Sequence, residues 1–180
     1  MWYRRARTAG GTYFFTVVTD ERRPFLCEPE NIQLLRTVFK EIKERHPFTI
    51  DAIVILPDHI HCLWTLPERD SDYSKRWRLI KGSFSRQCEK RYKGIINRSR
   101  HKKKEQAIWQ RRFWEHEIQN DRDYRQHVEY IHYNPVKHGL SDAPCYWPFS
   151  SFHNYVTKGL YEHNWGTGIT IKFENAVGQE

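Results

Sequence analysis

The chain has 180 residues and a formal charge of +8, with 30 Lys and Arg against 22 Asp and Glu. That length supports one domain with a real core, and the 38% hydrophobic and 15% aromatic content excludes a disordered polyelectrolyte. No stretch is apolar for long enough to span a membrane, and the opening "MWYRRARTAGG" lacks the apolar centre of a secretory signal. The four cysteines, Cys27, Cys62, Cys88 and Cys145, form no CxxC pair and read as reduced cytosolic thiols. The basic surplus is a footprint expected of a nucleic-acid partner. The aromatic residues would supply rings that stack on unpaired bases.

"TYFFTVVT", from Thr12 to Thr19, is aromatic and β-branched and predicts a first strand. Ile32, Leu35, Val38, Phe39 and Ile42 recur at helical spacing, and Pro47 stops that helix. Phe48 to Leu56 reads as a second strand, Pro57-Asp58 as a tight turn, and "HIHCLWTL" as a third strand, so these strands form a hairpin. Trp77, Ile80, Phe84 and Cys88 mark a second helix between about Tyr73 and Tyr92. The basic stretch "KRYKGIINRSRHKKKEQA" lacks apolar periodicity and is expected to be a mobile surface loop over 90–107. "IWQRRFWEHEIQ" predicts a fourth strand. Asp121 is the expected cap of a third helix carrying Tyr124, His127, Val128 and Ile131, closed by Pro135 and Gly139. Residues 141–180 read as an appended segment rather than a second domain.

The order β-α-β-β-α-β-α predicts an α+β fold of ferredoxin-like, split βαβ type, with helices on one face and a C-terminal extension. Such folds host many activities, so the site must carry the function. Side chains alternate along a strand, which puts His59 and His61 on one face and Ile60, Cys62 and Trp64 on the other. Two imidazoles so spaced can chelate one divalent ion; equally, one can be exposed and the other a satisfied core histidine. In "EYIHYNPVKHG", Tyr130 and Asn134 share a helical face. An amide oxygen is a suitable ligand for Mg²⁺ or Mn²⁺, and a tyrosine one turn away can be a nucleophile. Core packing for Tyr130 and helix capping for Asn134 are the bland alternatives.

"PDHIHCLW" resembles the HUH motif of single-tyrosine transposases, and "EYIHYNPVKHG" resembles their catalytic helix. The ordered set "GGTYFFTV", "HIH", "RFWEH", "YIHYNPVKHG" and "WPFSSF" is similar to the REP-associated tyrosine transposases, roughly from Tyr3 to Trp165. The resemblance implies a catalytic domain over 1–140 and an extension over 141–180 packing on or near the active site. It implies His59 and His61 as metal ligands, Asn134 as a third ligand, Tyr130 as nucleophile, and Mg²⁺ or Mn²⁺ as cofactor. The 90–107 loop is longer than this family leads one to expect, so it inherits no role.

The implied reaction is metal-dependent cleavage and strand transfer on single-stranded DNA at REP hairpins carrying a 5′ tetranucleotide, through a 5′-phosphotyrosine. The competing readings are a catalytically silent hairpin-binding protein and a metal nuclease that uses water. Arg4, Arg5, Arg7, Arg111, Arg112 and Lys137 are candidate phosphate contacts; Trp109, Trp114 and Trp147 are candidate base contacts. A bacterial, cytoplasmic, nucleoid-associated monomer is expected, with a dimer as the alternative and no membrane partner.

Overall fold

Alternation in "TYFFTVV" divides the molecule into two layers. In β1 (Thr12–Val18), Tyr13, Phe15 and Val17 point to one side and Phe14 to the other, all fully buried. A strand buried on both faces needs cover on both, and the helices supply it. The structure is a computed structural model and describes residues 7–174 and 177–178.

The remaining elements are α1 (Pro29–Arg45), β2 (Thr49–Ile55), β3 (His59–Thr65), α2 (Tyr73–Gln87), α3 (Arg98–Lys102), β4 (Trp114–Glu117), α4 (Asp121–Lys137) and α5 (Phe152–Thr157). The sheet order is β2-β3-β1-β4, with every neighbouring pair antiparallel. β1 and β2 therefore run parallel with β3 between them, the split βαβ arrangement the element order predicts.

On one face, α1 and α2 close over Tyr13, Phe15, Val17, Ile60, Cys62 and Trp64. Trp64 and Trp77 stack there at 4.4 Å and 15°, a contact of a kind worth about 0.5–1.5 kcal/mol beyond its burial. On the other face, Val128, Tyr130 and Ile131 of α4 pack against Phe14, Ala52, Val54 and Leu63. The expectation that all helices share one face is thus corrected for α4. Phe14 and Leu63 are as apolar as their outward neighbours, so this face also needs cover.

Three further expectations change. Asn120, not Asp121, caps α4, its side chain accepting from the Asp123 N–H at 3.0 Å. Pro135 lies inside α4, which ends two residues later. There Gly139, at φ +66°, lets Gly139 N–H reach the Val136 carbonyl at 2.9 Å and Leu140 N–H reach that of Pro135 at 2.9 Å. Such a paired closure uses up the last orphan carbonyls of a helix.

The 90–107 segment, expected as a mobile loop, carries a 3₁₀ turn and α3 and is tied down by arginines. Arg23 donates to the Tyr92 carbonyl at 2.6 Å and to that of Ala107, and Arg100 pairs with Asp20.

The C-terminal extension covers the outer edge of β2. Ile55 N–H donates to the Phe149 carbonyl at 2.9 Å, Ser151 N–H to that of Ile53 at 2.8 Å, and Trp147 Nε1–H to that of Ile55 at 3.0 Å. An edge strand left bare is a template for unwanted pairing, and this segment occupies it.

Candidate active site

The Pro57-Asp58 turn delivers β3 so that His59 and His61 face α4. Both are buried, at 2% and 0% exposure, with ring centroids 4.7 Å apart at 80°. Each ring is held through Nδ1. His59 Nδ1 meets Asp58 Oδ1 at 2.6 Å, and His61 Nδ1 meets Thr16 Oγ1 across the β1–β3 register at 3.0 Å. Were each Nδ1–H the donor to these oxygens, Nε2 would be the lone-pair nitrogen, the usual way outer partners prepare an imidazole for a metal. Burial works against the Asp58 charge, but the bonds to His59 and Arg22 outweigh it and hold the carboxyl below its usual range. Sequence reasoning missed Asp58, although it is adjacent to His59. Thr16 could be found only once the strand register was known.

Tyr130 stands over this pair. Its ring lies 5.3 Å from that of His61 at 70° and 5.9 Å from that of Phe14 at 74°. Lys137, two turns on, donates to Tyr130 Oη at 2.9 Å, with its ammonium 4.8 Å from the ring centre. Tyr130 Oη donates in turn to the Gly178 carbonyl at 3.0 Å. Gly178 therefore reaches the tyrosine, a contact with no signal in the sequence pattern.

Asn134 is one turn from Tyr130 and 0% exposed. Neither its amide oxygen nor its amide nitrogen has a hydrogen-bond partner among the described residues. An unsatisfied buried amide costs about 1–3 kcal/mol, so it calls for a ligand. A hard divalent cation suits such an oxygen. By donor chemistry and burial, His59, His61 and Asn134 suit a divalent metal.

A second histidine cluster joins β4 to α4. His116 Nε2 meets Asp123 Oδ2 at 2.8 Å and His127 Nδ1 meets Asp123 Oδ1 at 3.0 Å, with their ring centroids 4.7 Å apart. Their ligating atoms lie within 4.8 Å of one another. Burial, first among the influences on it, holds the His127 imidazole below its ordinary range.

The predicted DNA contacts are scattered. Arg4 and Arg5 lie outside the described residues. Arg7 and Arg112 are exposed. Arg111 is bound to Glu105 at 2.9 Å and to Ser99 at 2.8 Å. Trp109 is 5% exposed and packs on Phe84, which corrects its expected base-stacking role: its ring is core. Trp114 and Trp147 are half-buried on the His59/His61 side of the sheet. Lys137, a candidate phosphate contact, donates to Tyr130 Oη.

The family model described as "Transposase IS200 like" matches residues 8–134, which places the chain among DNA-cleaving transposases. The REP-associated tyrosine transposase of Escherichia coli K12 is 47% identical over 168 residues, covering 93% of this chain and 92% of that one. A relative from Haemophilus influenzae is 44% identical over 176 residues, covering 97% and 98%. A solved REP-associated tyrosine transposase bound to a REP hairpin is 43% identical, with a TM-score of 0.80 over 100% of this chain and 98% of that one. The chain belongs to the REP-associated tyrosine transposases. Family membership implies a divalent metal. No helix among the described residues is long and apolar enough to cross a membrane.

Proposed function

We propose that this protein cuts and rejoins single-stranded DNA at the foot of a REP hairpin through a 5′-phosphotyrosine on Tyr130, in a reaction dependent on Mg²⁺ or Mn²⁺. The observation that carries the proposal is the meeting of Tyr130 with the buried His61 ring at 5.3 Å, one turn from the unsatisfied Asn134 amide. The solved relative holds a REP hairpin, which supports the choice of substrate; a 5′ tetranucleotide at its foot follows from the same resemblance.

His59, His61 and Asn134 would hold the ion, whose chemistry is Lewis-acid polarisation of a phosphoryl oxygen. Asp58 and Thr16 keep the two imidazoles in the ligating orientation. Tyr130 Oη attacks phosphorus and the P–O3′ bond breaks. The phenol loses its proton as the departing 3′ oxygen gains one, and Lys137 stabilises the charge developing on Oη. One phosphodiester bond replaces another, so no nucleotide cofactor is required. A 3′-OH attacking the phosphotyrosine reverses the step and joins strands. The protein would act as a monomer, on chromosomal DNA in the bacterial cytoplasm.

The test is incubation of the protein with labelled hairpin and Mn²⁺, followed by a denaturing gel. A shifted covalent product is expected, absent in Tyr130→Phe, which should still bind the hairpin, and absent in His59→Ala. Cleavage without adduct would indicate a water-using nuclease. Binding without cleavage would indicate a silent hairpin-binding protein.

A further inference from the structure

Three metal-capable side chains lie outside the proposed chemistry: His116, Asp123 and His127, where β4 meets the start of α4. Asp123 and His127 are four residues apart on α4 and so share one face. His116 reaches them from β4, a short strand at the edge of the sheet. The Asp123 carboxylate stands at the centre of the group. Its Oδ2 meets His116 Nε2 at 2.8 Å, and its Oδ1 meets His127 Nδ1 at 3.0 Å. Gln119 N–H also donates to Oδ2 at 2.9 Å, an outer bond of the kind that orients a ligating carboxylate. His127 is buried, and its Nε2 has no hydrogen-bond partner among the described residues. Hydrogen bonding within the cluster therefore leaves this ring only half satisfied.

We infer that His116, Asp123 and His127 bind a Zn²⁺-class ion, separate from the ion proposed at His59, His61 and Asn134, and that this second ion staples the edge strand β4 to the tyrosine-bearing helix α4. Two imidazoles and one carboxylate are a donor set suited to Zn²⁺, with water as a fourth ligand. His116 and Asp123 are half-buried, so water can reach that position. Ligand atoms at about 2.0–2.1 Å from zinc stand roughly 3.4 Å apart in a tetrahedral site. The imidazole–carboxylate contacts at 2.8 and 3.0 Å are already inside that spacing. No pair of the ligand atoms is more than 4.8 Å apart. The closure required is between the two stacked rings, 4.7 Å apart at 15°, whose nitrogen ends must tilt together by at most about 1.4 Å. Burial holds the His127 imidazole below its ordinary range and so keeps it neutral near pH 7. In the neutral tautomer with its proton on Nε2, the ring presents a lone pair at Nδ1.

The staple would sit one ring away from the catalytic face. His127 is three residues before Tyr130, and its ring packs on Phe14 at 4.8 Å. Phe14 in turn lies 5.9 Å from the Tyr130 ring and 5.4 Å from that of His61. An ion joining β4 to α4 fixes where the helix starts against the sheet, and with it the height of Tyr130 above His61. The three ligands are positioning residues and touch no reacting atom.

The experiment counts zinc on the full chain without DNA, so failure of the cleavage chemistry has no bearing on it. The variant combining His59→Ala and His61→Ala lacks the other imidazole pair. Freed of metal by a chelator and titrated calorimetrically, it should still bind one Zn²⁺ per chain. Its melting temperature should rise by about 5–10 °C at a hundredfold excess over Kd. Adding His116→Gln, at a half-buried position, should weaken that binding by more than the roughly 10–100-fold that loss of an outer partner costs. His127→Gln should do the same. In the parent background each of these two variants should bind one ion fewer, so the result does not depend on how the double variant folds. Hydrogen exchange gives the location: Zn²⁺ should slow the amides of 114–127, and should not do so once His116→Gln is present. The inference is overturned by a double variant and a parent that bind no zinc, by zinc affinity unchanged in either glutamine variant, or by a bound ion that leaves exchange over 114–127 as it was.

Discussion

Tyr130 Oη donates to the backbone carbonyl of Gly178 at 3.0 Å, and a Cβ placed on Gly178 would lie 2.0 Å from Tyr130 Cζ. Tyr130 is covered by Gly178 at a contact only glycine permits. The φ of +67° at Gly178 adds a second reason for glycine there. In the proposed reaction a phosphate would have to displace this carbonyl before Oη attacks. Truncation after Glu174 should raise the rate of Tyr130 adduct formation without raising DNA affinity. One hydrogen bond worth about 0.5–1.5 kcal/mol corresponds to roughly two- to twelvefold. Gly178→Ala should act in the same direction by forcing the tail away. Single-turnover rates on a single-stranded oligonucleotide decide this, and equal or lower rates in both variants would sink it.

Lys137 meets the same hydroxyl at 2.9 Å. A cation there would stabilise negative charge on Oη in the proposed attack. Lys137→Met is expected to slow adduct formation by about ten- to a hundredfold, the range of a lost preorganised donor, while hairpin affinity changes less than threefold. Lys137→Arg should keep part of the rate. A phosphate-contact role would give the opposite pattern, with a reduced salt slope and little effect on the single-turnover rate.

The parts of this site set by local chemistry were legible in the sequence. Strand alternation put His59 and His61 on one face, and helical spacing put Tyr130 and Asn134 on another, because both periods depend only on backbone geometry. That β3 and α4 face each other was implied by family likeness rather than by spacing. The side of the sheet covered by α4 was not legible, since Phe14 and Phe15 are equally apolar. Thr16 required the β1–β3 register, and Gly178 required a contact 48 residues along the chain. The charge run at 98–104 suggested mobility because sequence cannot reveal that Arg100 finds Asp20, 80 residues earlier.

The buried Asn134 amide makes a prediction about stability as well as activity. With no partner for its oxygen or nitrogen among the described residues, it should be a cost to the metal-free fold. Asn134→Leu replaces the amide with an apolar group of similar size. The metal-free variant is expected to melt at the same temperature as the parent or higher, because removing an unsatisfied group relieves up to about 1–3 kcal/mol. The rise in melting temperature on adding Mn²⁺ should shrink or vanish, along with cleavage. A metal-free variant destabilised by more than about 1 kcal/mol would mean that the amide serves the fold.

His132 ties α4 to the extension, with Nε2 at 2.8 Å from Ser151 Oγ and its ring 4.6 Å from that of Tyr155. Burial, aided by the charge of nearby His153, pushes its imidazole from 6.5 down to about 3. Below pH 6.5 the unfolded chain binds a proton at this residue that the folded chain refuses. Stability therefore falls with pH from about 6.5 towards about 3, and is fully present only above that window. The slope is about 1.4 kcal/mol per pH unit, so near pH 5.5 the loss is already about 1 kcal/mol. His132→Gln keeps a polar group near Ser151 but cannot titrate. Its stability, measured by denaturant melts between about pH 7 and 5, should decline less steeply than that of the parent by up to this slope. Parallel curves would show that His132 is not the group through which acid loosens the fold.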